Sequence, residues 1–315
     1  MHRTVLLALA VATVAFLAVP PAEAKVLGSA HGSTPIAAAL PASAVSQSVL
    51  TVASEHLSTS VGSLVHSPLI LVARTEQVIE ASGATVGITL VELGGSNPMV
   101  WSSNGAGAFT AASTYKLAAL MMEAQNIAAG VTDPNGLVCY EDGDYEDGWF
   151  DDYETGTCFT RNELAWRAGI KSDNTAGHML VRDLGGSDAL NAWAVSHGAT
   201  GSAFFIGNTT TSNDLAALWA AEAKGQLGGS AAQAWLYPLL TGTATEGGIP
   251  AGVGSSTTVV HKTGILDQEV NDAALVHAGE KSYVLTVMTD GLGGAEGWQL
   301  IASIAADVQQ FEEAR

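Results

Sequence analysis

The chain has 315 residues, of which 47% are hydrophobic and 14% are charged, so it can bury a substantial core. Its 31 acidic residues outnumber its 12 basic ones, giving a net charge of −19. This charge, with no local cluster of Lys and Arg, excludes a nucleic-acid-binding protein because it repels phosphate. Two cysteines are too few for a disulfide-rich scaffold or a four-cysteine zinc site.

The N-terminal part of the chain predicts export. A short basic start precedes an uncharged apolar stretch at 5–19, and the Ala-Glu-Ala sequence at 22–24 fits the small-x-small rule for cleavage. Residues 1–24 are therefore interpreted as a secretory signal peptide. A retained membrane anchor is the alternative, but the stretch is shorter than the ~20 residues that a span needs. Residues 25–66, rich in Ala, Ser, Val and Thr, are predicted to be a tether before a domain at 67–315.

Within this domain, apolar periodicity predicts strands near both ends and helices between them. The predicted strands are 86–93, 99–101, 257–261, 273–277 and 283–289. The predicted helices are 68–81, 112–129, 161–170, 175–184, 188–197, 213–224 and 296–311. This order predicts an α/β (α+β) fold, in which an antiparallel sheet from both ends of the chain is flanked by helices and lies beside a mostly helical lobe. We expect a functional site in the crevice between sheet and lobe.

Several predicted helices carry their own start and stop signals. Thr160 precedes Glu163 by three residues, the spacing of a capping box, and Thr211 precedes Asp214 in the same way. Glycines at 130, 185 and 198 follow predicted helices, where a left-handed residue is favoured.

The first chemical motif is Ser113-Thr114-Tyr115-Lys116 at the start of a predicted helix. A separation of three residues places the Ser113 hydroxyl and the Lys116 amine on one helix face. A desolvated lysine has a lowered pKa and can accept the serine proton, and the free N–H groups of the helix start favour a developing oxyanion. The alternative interpretation is a helix cap followed by a solvated lysine.

Two further motifs follow in the chain. Ser172-Asp173-Asn174 lies between two predicted helices, where its residues are also typical helix caps. Lys262-Thr263-Gly264 ends a predicted strand, where the lysine and the hydroxyl can bind a substrate carboxylate and the glycine allows a substrate backbone to approach closely. The alternative for this third motif is an exposed charge on an edge strand.

These three motifs, in this order, resemble the motif set of class A β-lactamases and the related penicillin-binding proteins. The resemblance extends from about residue 67 to the C-terminus, and the chain is identified as a member of that superfamily. It implies an acyl-enzyme in which Ser113 attacks a strained lactam or a D-Ala-D-Ala peptide carbonyl and Lys116 accepts the serine proton.

The resemblance also assigns the remaining site residues. Ser172 would relay a proton to the leaving nitrogen, and Asn174 would hold either the substrate or Lys116. Lys262 and Thr263 would bind the substrate carboxylate. The backbone N–H groups of Ser113 and of Ile265, the residue after Gly264, would form the oxyanion hole.

The chain departs from the family at one place. Class A β-lactamases use a glutamate in an Ω-loop between the second and third motifs to activate the water that hydrolyses the acyl-enzyme. The corresponding stretch, 198–213, contains no acid, and Asp214 is better interpreted as the third residue of a helix. Glu163 precedes the second motif, and Glu222 and Glu246 follow the expected loop. Slow deacylation, a peptidase or esterase activity, and a different water-activating group all stay open.

Between the first two motifs lies an acidic segment, residues 140–157, bracketed by Cys139 and Cys158. It contains eight acidic residues and no basic ones, with aromatic residues interleaved that indicate packing. In an exported protein the two cysteines are expected to pair, and closing the loop would contribute about 3 kcal/mol. The segment lacks the glycine of an EF-hand loop, so we predict a solvated acidic flap and no metal site. Over the crevice, it would favour cationic or neutral substrates.

The leading hypothesis is an exported serine hydrolase of the class A β-lactamase-like group that hydrolyses a β-lactam or related amide through acyl-Ser113. The alternatives are a D-alanyl-D-alanine carboxypeptidase or penicillin-binding protein, and a non-hydrolysing lactam- or wall-binding pseudoenzyme. The absent Ω-loop glutamate favours both alternatives. We expect a secreted monomer with a small-molecule or cell-wall peptide substrate and no cofactor. The histidines form no recognised ligand motif, and His261 is predicted to be a structural strand residue.

Overall fold

A computed structural model describes residues 67–315 of the chain, so the predicted signal peptide and the tether lie outside the described residues. The strands are β1 (Thr85–Glu92), β2 (Val100–Ser103), β3 (Phe109–Thr110), β4 (Leu137–Cys139), β5 (Cys158–Thr160), β6 (Thr209–Thr210), β7 (Thr258–Ile265), β8 (Val270–His277) and β9 (Tyr283–Asp290). The helices are α1 (Pro68–Ser82), α2 (Tyr115–Ala128), α3 (Arg161–Ile170), α4 (Asn174–Asp183), α5 (Gly186–Ser196), α6 (Ser212–Ala223), α7 (Gly229–Leu236), α8 (Ile249–Val253) and α9 (Gly294–Ala314).

The main sheet joins strands from the two ends of the domain. Its order is β2-β1-β9-β8-β7, and every neighbouring pair is antiparallel. Alternate residues of β8 enter different cores: Ala274 and Val276 pack with α1 and α9, whereas Ala273 and Leu275 pack with the helical lobe. Because β8 is covered on both faces, its residues from Ala273 to Val276 are all apolar and do not alternate with polar ones. The predicted α/β fold is confirmed.

The helical lobe is built around α2, whose residues from Tyr115 to Met121 are all buried. Thr160 caps α3 through the Glu163 N–H at 3.1 Å, and Thr211 caps α6 through the Asp214 N–H at 3.0 Å, as predicted. No helix among residues 67–315 is both long and apolar enough to cross a membrane.

The fold differs from the sequence prediction in several places, among them the unpredicted short strands β3 to β6. Helices α7 and α8 were not predicted, because α7 follows a pair of glycines and α8 is only five residues long with Pro and Gly inside it. Strand β7 continues through Ile265 and does not end at residue 261, so the third motif lies inside the strand. Its polar side chains are buried by neighbouring elements of the chain, which periodicity cannot show.

The acidic segment is bound to the helical lobe, while seven of its eight acids are exposed to solvent, as predicted. Arg167 of α3 forms a bidentate ion pair with Asp152 at 2.6 and 2.7 Å. Arg182 of α4 contacts Asp144 at 2.8 Å and Glu141 at 2.9 Å. The basic partners that the segment lacks in sequence therefore come from two helices that follow it in the chain.

The predicted disulfide joins Cys139 and Cys158, which are directly paired across strands β4 and β5. Because the bond closes the loop in the unfolded chain, we expect the double variant Cys139→Ser/Cys158→Ser to lose about 3 kcal/mol of unfolding free energy in urea titrations. Reducing the wild type should lower its stability to the same value and leave the double variant unchanged. Equal stability of variant and oxidised wild type would contradict this prediction.

Candidate active site

The first motif forms the turn that enters α2. Ala112–Thr114 make a single turn of 3₁₀ helix, and Lys116 lies in the first turn of α2. The Lys116 Nζ atom is 3.0 Å from Ser113 Oγ, so the predicted serine–lysine neighbourhood is confirmed. Ala112, directly before the serine, has a φ of 47°, a conformation that costs free energy in a residue other than glycine. The backbone is therefore strained beside the Ser113 hydroxyl.

The amine of Lys116 is fully buried and well coordinated. Besides Ser113, it donates hydrogen bonds to the Ser172 carbonyl oxygen at 2.6 Å and to Asn174 Oδ1 at 2.7 Å. Burial lowers the pKa of Lys116 to about 7, and the negative charges of Asp173 and Glu146 limit this shift. The amine can therefore lose its proton near neutral pH. The alternative of a solvated lysine is wrong.

The second motif caps α4 and also contacts both lysines. Asp173 caps α4 by accepting a hydrogen bond from the Ala176 N–H at 2.9 Å. Ser172 has a φ of 58°, and this left-handed conformation precedes the cap. Its carbonyl contacts Lys116, while its hydroxyl accepts a hydrogen bond from Lys262 at 2.8 Å. Ser172 thus lies between the two lysines.

The third motif faces the same region from β7. Lys262 is only 1% exposed although β7 is an edge strand, so the alternative of an exposed edge charge is wrong. Its Nζ donates to Ser172 Oγ and to the Thr263 carbonyl oxygen at 2.9 Å. Burial, together with the charge of Lys116, places the pKa of Lys262 well below its ordinary value. Thr263 is also buried.

Gly264 allows the protein's own backbone to approach β7 closely. A Cβ atom at Gly264 would lie 2.6 Å from the carbonyl oxygen of Ala111, which belongs to the turn before Ser113. The glycine therefore lets β7 pack against the nucleophile turn, a role in addition to the predicted one of admitting substrate. Gly177 of α4 makes room in the same way, because a Cβ there would lie 2.8 Å from Lys116 Cε.

These elements surround a cavity of about 380 Å³. Among its lining residues are Ser113, Glu146, Asn174, His178, Asn208 and Ile265. The predicted residues Ser113, Asn174 and Ile265 are thereby brought to one cavity. Lys116, Ser172 and Lys262 connect behind them through the hydrogen bonds above.

The sequence analysis did not identify Glu146 and His178 as residues of the cavity. Glu146 belongs to the acidic segment, and its Oε2 lies 2.8 Å from His178 Nε2. His178 follows Asn174 by four residues on α4, so helix periodicity places it on the same face, which is a signal that could have found it. Nothing local distinguishes Glu146 from the other acids of its segment.

The loop that replaces the Ω-loop closes another side of the cavity. Phe205 and Asn208 both have positive φ angles, and the Asn208 carbonyl accepts a hydrogen bond from the Ala111 N–H at 2.7 Å. The loop is therefore attached directly to the nucleophile turn. The cavity is not lined by Glu163 or Glu222. Glu163 pairs with Arg167, and Glu222 is buried in the helical lobe.

The third of those glutamates, Glu246, belongs to a charged cluster behind Lys262. Fully buried His261 contacts Asp272 through Nδ1 at 2.8 Å and Glu246 through Nε2 at 3.1 Å. Burial lowers the pKa of His261, but the two carboxylates outweigh it and raise the pKa to about 9. Both ring nitrogens are occupied, as expected for a structural residue. Within residues 67–315 no three His, Cys, Asp or Glu residues are grouped to hold a metal ion.

Comparisons with known proteins agree with this geometry. Residues 71–311 match the family model of the β-lactamase enzyme family. The structure of PBP-A aligns at a TM-score of 0.69 with 24% identity, covering 76% of this chain and 95% of that chain. A β-lactamase from Sphaerobacter thermophilus aligns at 0.68 with 27% identity, covering 77% and 97%. One from Burkholderia phymatum aligns at 0.66 with 22% identity, covering 75% and 95%. No curated protein sequence matches.

The family match covers most of the described domain, and the solved structures share its fold. The chain therefore belongs to the β-lactamase enzyme family and is a class A β-lactamase-like serine hydrolase.

Proposed function

We propose that the protein forms an acyl-enzyme on Ser113 and hydrolyses a β-lactam or a related amide. The observation that carries this proposal is the 3.0 Å contact between Ser113 Oγ and the buried Lys116 amine, at the wall of an open cavity. The neutral amine accepts the hydroxyl proton as Oγ attacks the carbonyl carbon. The N–H groups of Ser113 and Ile265 are the proposed donors to the oxyanion.

The two lysines and Ser172 account for the leaving group and for substrate binding. Lys262 donates to Ser172 Oγ, so the Ser172 hydroxyl hydrogen is free to point toward the leaving nitrogen. The Lys262 amine and the Thr263 hydroxyl are the proposed binding groups for the substrate carboxylate. Asn174 already binds Lys116 through Oδ1, which supports the assignment that it holds this lysine.

A penicillin-binding protein with a D-alanyl-D-alanine carboxypeptidase activity is the alternative. The observation in its favour is the loop at 198–213, which contains no acid to activate a deacylating water. One of the similar solved structures is a PBP-A variant described as an acyl-enzyme complex with penicillin G. A pseudoenzyme that binds lactams or cell wall without hydrolysis follows from the same absence.

One experiment separates these functions. The mature protein is incubated with penicillin G, the mass of the Ser113 peptide is followed over time, and lactam loss is assayed in parallel. A transient adduct with turnover is the expected result, because nucleophile and base are already in contact. A persistent adduct would instead indicate a penicillin-binding protein. Ser113→Ala must abolish the adduct, and the absence of any adduct on the wild type would contradict the nucleophile assignment.

The pH dependence of acylation tests Lys116 as the base. Because the amine must be neutral to accept a proton, the acylation rate should rise with pH and level off above the Lys116 pKa of about 7. Stopped-flow acylation by a fluorescent penicillin, from about pH 5 to about pH 9, measures this profile. Lys116→Ala should remove the rise and slow acylation by about 100- to 10,000-fold. A wild-type rate independent of pH would contradict the assignment.

We also propose that the protein is exported with cleavage before Lys25. The basic and apolar pattern of the first 24 residues supports this, and so does the disulfide, since such bonds persist in oxidising compartments. Expression of the full chain in a secreting bacterial host should yield an extracytoplasmic protein whose N-terminal sequence begins at Lys25. Uncleaved protein retained in the membrane fraction would support the anchor alternative instead.

A further inference from the structure

We infer that Glu146 is the general base that activates the water hydrolysing acyl-Ser113, in place of the glutamate absent from the 198–213 loop. The inference rests on the proposed acyl-enzyme function. Among the described residues that line the Ser113 cavity, Glu146 alone carries a carboxylate. Its negative charge partly offsets the lowering of the Lys116 pKa by burial.

The backbone of Glu146 is held firmly although it belongs to a long loop. Its N–H donates to Thr175 Oγ at 3.0 Å, and the Thr175 hydroxyl donates to its carbonyl oxygen at 2.8 Å. The neighbouring carbonyl of Asp147 accepts a hydrogen bond from Asn174 Nδ2 at 2.8 Å. Asn174 also binds Lys116, so the carboxylate is placed relative to the nucleophile by the first turn of α4.

His178 orients the Glu146 side chain. His178 Nε2 lies 2.8 Å from Glu146 Oε2, and the ring of His178 packs edge-on against Phe205 with centroids 4.9 Å apart. The Glu146 side chain is 52% exposed, so its carboxylate is accessible to a water. Asp173, the other nearby acid, is unsuitable as a base because its carboxylate accepts from the N–H groups of Trp149 and Ala176 and from the Tyr153 hydroxyl.

Two residues that line the cavity each carry a buried polar atom without a partner. Tyr115 Oη and Asn208 Oδ1 are buried and have no hydrogen-bonding partner among the described residues. Tyr115 as a whole is only 5% exposed. Buried polar atoms are normally satisfied, and a buried water needs two to four polar partners. Tyr115 precedes Lys116, and Asn208 contacts the turn before Ser113, so both unpartnered atoms belong to residues next to the nucleophile.

In the proposed step, water hydrolyses the ester between the acyl group and Ser113. Glu146 takes one proton from the water as the water oxygen bonds to the ester carbon, and the oxyanion is held by the N–H groups of Ser113 and Ile265. The bond from carbon to Ser113 Oγ then breaks, and Oγ takes up the proton that Glu146 received from the water, passed on through the neutral Lys116 amine. The product leaves as a carboxylic acid, and Glu146 is again ionised and Lys116 again neutral, as both were before acylation.

The test compares Glu146→Gln with the matched control Glu154→Gln, an exposed glutamate of the same segment. Quenched-flow mass spectrometry with penicillin G measures formation and decay of the Ser113 adduct separately. For Glu146→Gln, formation should change less than about threefold, while decay should slow by about 100- to 10,000-fold. The control should match the wild type in both steps. Preserved adduct formation shows at the same time that the variant is folded.

His178 is a positioning residue, which a second variant tests. His178→Asn should slow adduct decay less than Glu146→Gln does, and the double variant should be no slower than Glu146→Gln alone, because both changes affect one group. Additive effects would contradict the assignment to His178.

The remaining outcomes separate this inference from the function on which it rests. If the Glu146→Gln adduct decays at the wild-type rate, or if its formation and decay slow equally, the inference is overturned while the acyl-enzyme function stands. A wild-type adduct that never decays would also overturn the inference and leave that function standing. If no adduct forms on Ser113 in the wild type, the proposed function fails and the inference fails with it.

Discussion

The site depends on the burial of one amine, that of Lys116. Removing a charged ammonium from water is costly, and here three hydrogen bonds that Lys116 donates to Ser113, Ser172 and Asn174 offset that cost. The part of the cost that is not offset remains as a lowered pKa, which makes the amine usable as a base. The surrounding backbone is arranged to allow this burial: Ser172 is left-handed to present its carbonyl, and Gly177 leaves space for the lysine stem.

The acidic segment provides the second constraint. Its eight acids would repel one another if they were all solvated side by side, yet arginines of α3 and α4 neutralise several of them and a disulfide closes the loop. Pairing of the segment with Thr175 and Asn174 then brings Glu146 over the cavity. Three of the eight acids are therefore paired with arginines, and the carboxylate of Glu146 lines the cavity of the nucleophile.

Prediction from sequence succeeded where the determinants are local. Helix α3 was predicted with its observed bounds because Thr160 caps it and Leu164 and Ala168 define its buried face. The serine–lysine contact follows from a spacing of three residues at a helix start. Prediction failed for the end of β7, where Lys262 and Thr263 look like a solvated strand terminus. They are buried by Ser172 and by the turn before Ser113, which lie far away in the chain.

The sequence by itself determined the family, the three motifs and the kind of local element that carries each motif, because caps and helical spacing act over about four residues. It also determined that the usual deacylating acid is missing. Only the tertiary structure decided which acid enters the cavity and which histidine accompanies it. Glu146 and His178 are about thirty residues apart, and their contact depends on how a loop packs on α4. Such packing is chosen by the summed burial and pairing of many side chains, and no local pattern encodes it.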